Sequence, residues 1–227
     1  MPNDSARNIE GIPVSLTSRL TGLVTAISYV LYAQIIIALV AIILGFFESQ
    51  LLSAFEQGQY ASLEAAFAEG ELVITLLQLT GIASLIAFIV SAVLILKWIY
   101  QANANARQLG ALNMSYTPTW SIAYFFIPIF NIWKPYLAMK EIWMASKNPL
   151  DWKNAKTNFI LPLWWAVWLA SNLLNQSVFR LSADAVTLSE LTKLNMLSQF
   201  SNLLDIPLAL VTLALIKAIY RMQHENL

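Results

Sequence analysis

Cysteine is absent from the 227 residues, and histidine occurs only once, as His224 near the end of the sequence. Without cysteine the chain has no disulfide, no thiolate nucleophile and no cysteine-ligated metal. A single histidine excludes a Ser-His-Asp triad or a histidine-based metal site within one chain in practice. We therefore expect no catalytic residue, no metal and no cofactor, and we predict that the protein is not an enzyme.

Charge is also scarce. Only 11% of the residues are charged and 58% are apolar, whereas a soluble domain has roughly 25% charged residues. The formal net charge is zero, so no overall field attracts nucleic acid. The composition indicates an integral membrane protein that does not bind nucleic acid.

Four apolar segments are long enough to cross a bilayer as helices. They cover about 22–47, 72–100, 159–179 and 203–219. Pro207 either opens the last segment or kinks a longer helix, because Thr187 and Glu190 have capping-box spacing further upstream. We predict an all-α, polytopic helical bundle with a flexible cytoplasmic tail at 1–21 and a single membrane domain at 22–227.

Polar and small residues within the spans predict how the helices pair. Gln34 lies near the middle of the first span and is expected to hydrogen-bond to a neighbouring helix. Ala83, Ala87 and Ser91 form a stripe of small residues on one face of the second span, which favours close helix packing. Between these spans, residues 48–71 predict short amphipathic helices lying over the membrane.

The distribution of lysine and arginine predicts the orientation. If Tyr116–Trp133 does not cross the bilayer, 11 of the 13 Lys and Arg residues lie in cytoplasmic segments, and only Arg180 and Lys193 lie outside. From Trp120 to Trp133 a helix would measure only about 21 Å, which is too short to cross. We therefore predict four crossings, both termini in the cytoplasm, and a shallow re-entrant or interfacial segment at 116–147.

Proline divides this shallow segment. Thr117-Pro118 is a helix-start signal, with a capping side chain followed by proline at the first helical position. Pro128 and Pro135 then remove backbone donors, so free carbonyls must be satisfied by protein or water. Asn131 is placed to cap one of the broken ends, and a helix is expected over Pro135–Lys147.

Polar residues concentrate on both sides of this segment. The candidate ligand-binding or structural cluster consists of Asn103, Asn105, Arg107, Asn131, Lys134 and Glu141. Tryptophans expected at the membrane interface are Trp98, Trp120, Trp133 and Trp143. In a structural interpretation, Arg107 pairs with Glu141 or with carbonyls of the broken segment, and the asparagines cap helix ends. In a functional interpretation, the basic and amide groups form a pocket for a lipid headgroup or a phosphorylated ligand.

These residues also carry a family resemblance. Over about residues 95–150 the sequence resembles the bacterial membrane proteins grouped as domain of unknown function 4328, and the later spans share the hydropathy pattern. The residues that carry it are Trp98, Tyr100, Asn103, Asn105, Arg107, Gly110, Tyr116-Thr117-Pro118, Trp120, Pro128, Asn131 to Tyr136 and Glu141-Ile142-Trp143. The resemblance implies a multi-pass protein of the bacterial cytoplasmic membrane, and it names no substrate.

Three functions follow as hypotheses. The first is a non-enzymatic scaffold, sensor or accessory subunit that acts through its cytoplasmic surface. A small transporter or channel subunit that uses the broken helix is the alternative, although no charged residue lies deep in a predicted span and Asp205 lies at an edge. A lipid-headgroup-binding protein is the third. The expected partners are membrane lipids with anionic headgroups, a second copy of the chain or another membrane protein.

Overall fold

The computed structural model describes the backbone of residues 14–226 and the side chains of residues 20–226. Within this range the chain is helical and contains no β-strand, which confirms the predicted all-α class. The tail predicted at 1–21 lies mostly outside the described residues. The helices of the described range are α1 (Val14–Glu56), α2 (Leu63–Glu69), α3 (Glu71–Gln108), α4 (Pro118–Ala123), α5 (Lys134–Lys147), α6 (Ile160–Asp184) and α7 (Leu188–Glu225).

Three of these helices are long and apolar enough to cross a membrane, namely Leu20–Glu56 of α1, α3 and α7. The protein is therefore a membrane protein by helix length and composition. The predicted span at 159–179 does form a helix, α6, but α6 is not among the three. Asn172, Asn175 and Gln176 lower its hydropathy.

The alternative of a longer helix that contains Pro207 is confirmed, and the last span starts before 203, because α7 is a continuous helix of 38 residues with Pro207 inside it. The predicted capping box at its start is confirmed. The Thr187 hydroxyl accepts the backbone N–H of Glu190, and the Glu190 carboxylate accepts the backbone N–H of Thr187. These bonds satisfy donors that the first turn of a helix leaves free, so the helix begins 15 residues before the predicted position.

The connection at 48–71 also differs in part from the prediction. The first helix continues to Glu56, and α2 is the one short helix found between α1 and α3. Gly58, at φ 76°, ends α1 in a left-handed conformation that glycine adopts without strain. Ser62 then caps α2 through its hydroxyl, which accepts the Ala65 N–H at 3.1 Å.

The long helices form a row in the order α3, α1, α7, α6. The predicted hydrogen bond of Gln34 is confirmed, since its amide donates to Ser91 of α3 at 3.1 Å. On the other side of α1, Thr21 and Tyr220 share a hydrogen bond of 2.8 Å, and Asn195 donates to the Gly45 carbonyl at 2.8 Å. The two contacts with α7 show that α1 and α7 run antiparallel.

The hydrophobic core is concentrated at one end of this row. The C-terminal ends of α3 and α7 meet the beginnings of α1 and α6 there, and α5 lies across them. Fully buried members of this core include Ile27, Ile99, Ile142, Leu161 and Ile219. The short helices α4 and α5 are therefore packed as part of the folded bundle.

Candidate functional site

The end of α3 turns the chain back toward the bundle. Gly110 has φ 106°, its N–H donates to the Arg107 carbonyl at 3.1 Å, and the Ala111 N–H donates to the Ala106 carbonyl at 3.1 Å. This is the Schellman arrangement, in which glycine in the left-handed region closes a helix. It places residues 111–116 beside the last two turns of α3.

Asn103 and Arg107 hold this returning strand from the α3 side. Asn103 is fully buried, and its amide donates to the Tyr116 carbonyl at 2.8 Å and to the Ser121 hydroxyl at 2.9 Å. Arg107 donates from Nε to the Asn103 side-chain oxygen at 3.0 Å. Its terminal nitrogen also donates to the carbonyls of Met114 at 3.1 Å and Tyr116 at 2.9 Å.

Glu141 holds the same strand from α5. Its side chain is only 6% exposed, and its two oxygens accept the backbone N–H groups of Ser115 at 2.6 Å and Tyr116 at 2.9 Å. A cation on α3 thus takes the carbonyls of the strand, and an anion on α5 takes its N–H groups. We call this set of bonds the 114–116 lock.

Arg107 and Glu141 are therefore linked through the backbone. Over residues 20–226, none of the hydrogen bonds of either side chain reaches the other. The prediction of a direct pair is wrong, and the alternative prediction, in which Arg107 bonds to carbonyls, fits the structure. The physical reason is that a non-helical segment offers its carbonyls and its N–H groups in different directions. Opposite charges can therefore bond to it from two sides.

Lys134 lies next to the lock through aromatic rings. Its ammonium is 5.6 Å from the centre of the Tyr116 ring and 5.7 Å from that of Tyr124, within the range of a cation–π interaction. The beginning and the end of the proline-broken segment 116–133 therefore meet. The predicted helix starts within and after this segment are confirmed, since Thr117 caps α4 and α5 begins at Lys134.

Two other predicted members of the cluster also lie outside the lock. Asn105 is half-buried on α3, and its side chain makes none of the lock's bonds. The prediction that Asn131 caps a broken helix end is wrong. Its side-chain oxygen is buried without a hydrogen-bond partner in the described part of the chain, and the N-cap of α5, Trp133, receives no side-chain cap.

The four tryptophans divide into two pairs. Trp120 and Trp133 are 49% and 40% exposed, as residues at an interface are. Trp98 and Trp143 are 1% and 5% exposed. The interfacial position predicted for these two is wrong, because they pack in the core between α3, α5 and the helix ends.

A second set of polar bonds, which the sequence did not suggest, joins α5 to the end of α7. The Gln223 amide donates to the Ala102 carbonyl of α3 and to the Ser146 hydroxyl of α5, both at 2.8 Å. Asn226 donates to the Ser146 carbonyl at 3.0 Å. The only available signal was a small polar residue, Ser146, within the buried face of an amphipathic helix.

A family model described as "Domain of unknown function (DUF4328)" matches residues 63–221, which is most of the chain. The chain belongs to the DUF4328 family. A search of curated proteins gave no match, and a search of solved structures gave none.

The DUF4328 region contains the whole 114–116 lock and most of the long helices. Among the described residues, no group of three or more His, Cys, Asp or Glu side chains is placed to hold a metal ion. The charges of Arg107 and Glu141 are directed at backbone groups. The chemistry that this arrangement performs is to fix α4 and α5 against the bundle.

Proposed function

We propose that this DUF4328 protein is a non-enzymatic membrane protein with four crossings, α1, α3, α6 and α7, and with both termini in the cytoplasm. The lysine and arginine distribution supports this orientation. Segment 116–133 returns to its starting point, as Lys134 beside Tyr116 indicates. Helix α6 packs along α7 and is joined to it by residues 185–187 alone. Its 25 residues give a length of about 37 Å, enough to cross beside α7.

Within this arrangement, the protein acts as a scaffold, sensor or accessory subunit of the bacterial cytoplasmic membrane through its cytoplasmic end. The 114–116 lock carries this proposal, because both of its charged side chains form hydrogen bonds with the chain's own backbone. An anion pocket would need donors aimed at a ligand, whereas the hydrogen bonds of Asn103 and Arg107 go to groups of the chain itself. The lock therefore stabilises a rigid surface built from α4, α5 and residues 148–159.

Exposed lysines are the polar feature that this surface offers to a partner. Lys147, Lys153 and Lys156 are exposed, within 10 residues of sequence. We expect a partner protein to recognise them by charge complementarity. The test is co-purification from bacterial membranes with the wild-type chain and with a variant in which all three lysines are changed to glutamate.

The expected result is a partner that is captured by the wild type and lost from the triple variant at unchanged thermal stability. Matched controls are Lys193→Glu and Arg180→Glu, which change charge at the opposite end of the bundle. Capture of the chain alone in repeated purifications would contradict a scaffold or accessory role.

Anionic lipid headgroups are a second candidate for the same three lysines, because cationic residues at the inner leaflet attract anionic lipid by about 1 kcal/mol each. The measurement is the fraction of anionic lipid that remains with the protein after purification in mild detergent. A change of the three lysines to glutamine is expected to lower that fraction. An unchanged fraction would exclude lipid recognition by this surface.

A further inference from the structure

A carboxylate lies at the middle of α7, where the sequence had placed it at the edge of a shorter span. Asp205 is 12 residues after Lys193 and 12 residues before Lys217, which is about 18 Å of helix on either side. Since a hydrocarbon core is about 30 Å thick, Asp205 lies near mid-membrane when α7 crosses. The prediction that Asp205 lies at the edge of a span is therefore wrong, because the span includes more of α7 than 203–219.

The helices around Asp205 provide no compensating charge. Between Arg19 and Glu48 on α1, and between Glu71 and Lys97 on α3, the sequence has no Asp, Glu, Lys, Arg or His. On α6, residues 160–179 have none either. The hydrogen bonds that join α5 to the C-terminal end of α7 lie at Gln223 and beyond, 18 or more residues further along. The two tyrosines of α1, Tyr29 and Tyr32, are exposed.

Neutral polar groups of α6 surround the carboxyl group instead. The Ser171 hydroxyl is buried and donates to Asp205 at 3.2 Å, and the Asn175 side chain lies beside the same carboxyl group. The Ser201 hydroxyl donates to the Asn175 side-chain oxygen at 2.9 Å, so that oxygen already has a partner. Two residues beyond Asp205, Pro207 has no N–H and cannot make the usual helical bond to the Leu203 carbonyl.

We propose that Asp205 is a proton-binding site at mid-membrane, held as the neutral acid at neutral pH and able to take up and release one proton. An isolated carboxylate in hydrocarbon is costly, and two neutral donors compensate only part of that cost. A metal cation such as Na⁺ prefers several oxygen ligands, and here the Asn175 oxygen is occupied by Ser201. The proton is therefore the ligand that this geometry fits. The proposal is independent of the cytoplasmic scaffold role.

Infrared difference spectroscopy of the full-length protein in lipid tests the proposal. The spectrum of the wild type minus that of Asp205→Asn at pH 7 is expected to show the carbonyl stretch of a protonated acid. Raising the pH is expected to replace this band with carboxylate bands. The matched control is Glu48→Gln, which removes the other half-buried carboxyl group of the bundle and is expected to keep the Asp205 band.

Ser171→Ala gives a second, independent readout. Because it removes a hydrogen bond to the Asp205 carboxyl group, the carbonyl stretch of the acid is expected to move to higher frequency. If the bands that Asp205→Asn removes at pH 7 are those of a carboxylate, the proposal of a neutral acid is overturned. Replacement of the acid band by carboxylate bands when Na⁺ is added at constant pH would overturn it in favour of a cation site.

Discussion

At the scale of single residues, the 114–116 lock shows how a membrane protein accommodates charge next to its core. Burial of an ion is costly unless the ion is paired or fully hydrogen-bonded. Arg107 and Glu141 meet this condition by bonding to the carbonyls and N–H groups of one strand. The same bonds satisfy backbone groups that no helix or sheet could satisfy.

Glu141→Gln is expected to destabilise the protein by about 1–3 kcal/mol, since an amide can accept only one of the two N–H groups and turns a donor toward the other. The measurement is thermal unfolding in detergent, with a lowered melting temperature expected. Glu69→Gln is the control, because Glu69 is exposed at the end of α2. Equal melting temperatures for both variants would contradict the lock.

Arg107→Lys tests whether the cluster is a lock or an anion pocket. Lysine keeps the charge but loses the planar group that bonds to Asn103 and two carbonyls together, so the variant is expected to melt at a lower temperature. Added inorganic phosphate is expected to leave the wild-type melting temperature unchanged. A phosphate-dependent rise in the wild type that disappears in Arg107→Lys would support a pocket instead.

The sequence predicted part of this site for a clear reason. Asn103 and Arg107 are four residues apart on a helix, so their contact follows from helical geometry. Their bonds to Ser121 and to the carbonyls of 114–116 depend on the left-handed turn at Gly110, which sets the direction of the returning strand. The residue type of Asn131 favours a cap, but in the structure α5 begins without a side-chain cap.

At the scale of helices, the close approach of α1 and α7 depends on Gly45. A Cβ atom at this position would collide with the side-chain amide of Gln199, and Asn195 donates to the Gly45 carbonyl itself. Gln199 also donates to the Ile42 carbonyl at 3.2 Å. A larger residue at position 45 would therefore displace the Gln199 side chain and break its bond to the Ile42 carbonyl.

Gly45→Ala is expected to destabilise the bundle by about 1 kcal/mol, because the displaced Gln199 amide loses its bond to the Ile42 carbonyl. Gly81→Ala is the matched control, because a Cβ there meets nothing within 4 Å and alanine has the higher helix propensity. Thermal unfolding of both variants in detergent checks the prediction. A control that loses as much stability as Gly45→Ala would show that the contact with Gln199 is not the cause.

Thr187→Ala removes the capping box and is expected to cost about 0.5–2 kcal/mol at the start of α7. Faster hydrogen exchange of the backbone amides at 188–191 is the expected observation, with exchange in the rest of α7 unchanged. Thr192→Ala serves as the control, because the Thr192 hydroxyl bonds only to the Leu188 carbonyl of the same helix. Equal exchange in both variants would contradict a capping role.

The boundaries of α7 show why hydropathy alone misplaced the last span. The apolar run at 203–219 is the part that a hydropathy average detects. Before it, Asn195 and Gln199 form hydrogen bonds to α1, so polar residues in this part of α7 are satisfied by protein. The capping signal at Thr187 located the true start because it depends on local backbone geometry and not on the surrounding solvent.

At the scale of the whole molecule, the absence of cysteine makes the topology directly testable. Asn148 and Val186 are exposed at the two ends of the bundle. With a membrane-impermeant thiol reagent added outside intact cells, Val186→Cys is expected to react and Asn148→Cys is not. Reaction at both positions after the membrane is opened is the control, and reaction of Asn148→Cys in intact cells would overturn the proposed orientation.

The row of helices also bears on how the protein is made. The central pair consists of α1 and α7, the first and last of the long helices to leave the ribosome. Until α7 has been synthesised, the Gly45 carbonyl and Glu48 lack their partner Asn195. During synthesis, α1 and α3 therefore lack the contacts with α7, so the bundle can assemble fully only after α7 has been synthesised.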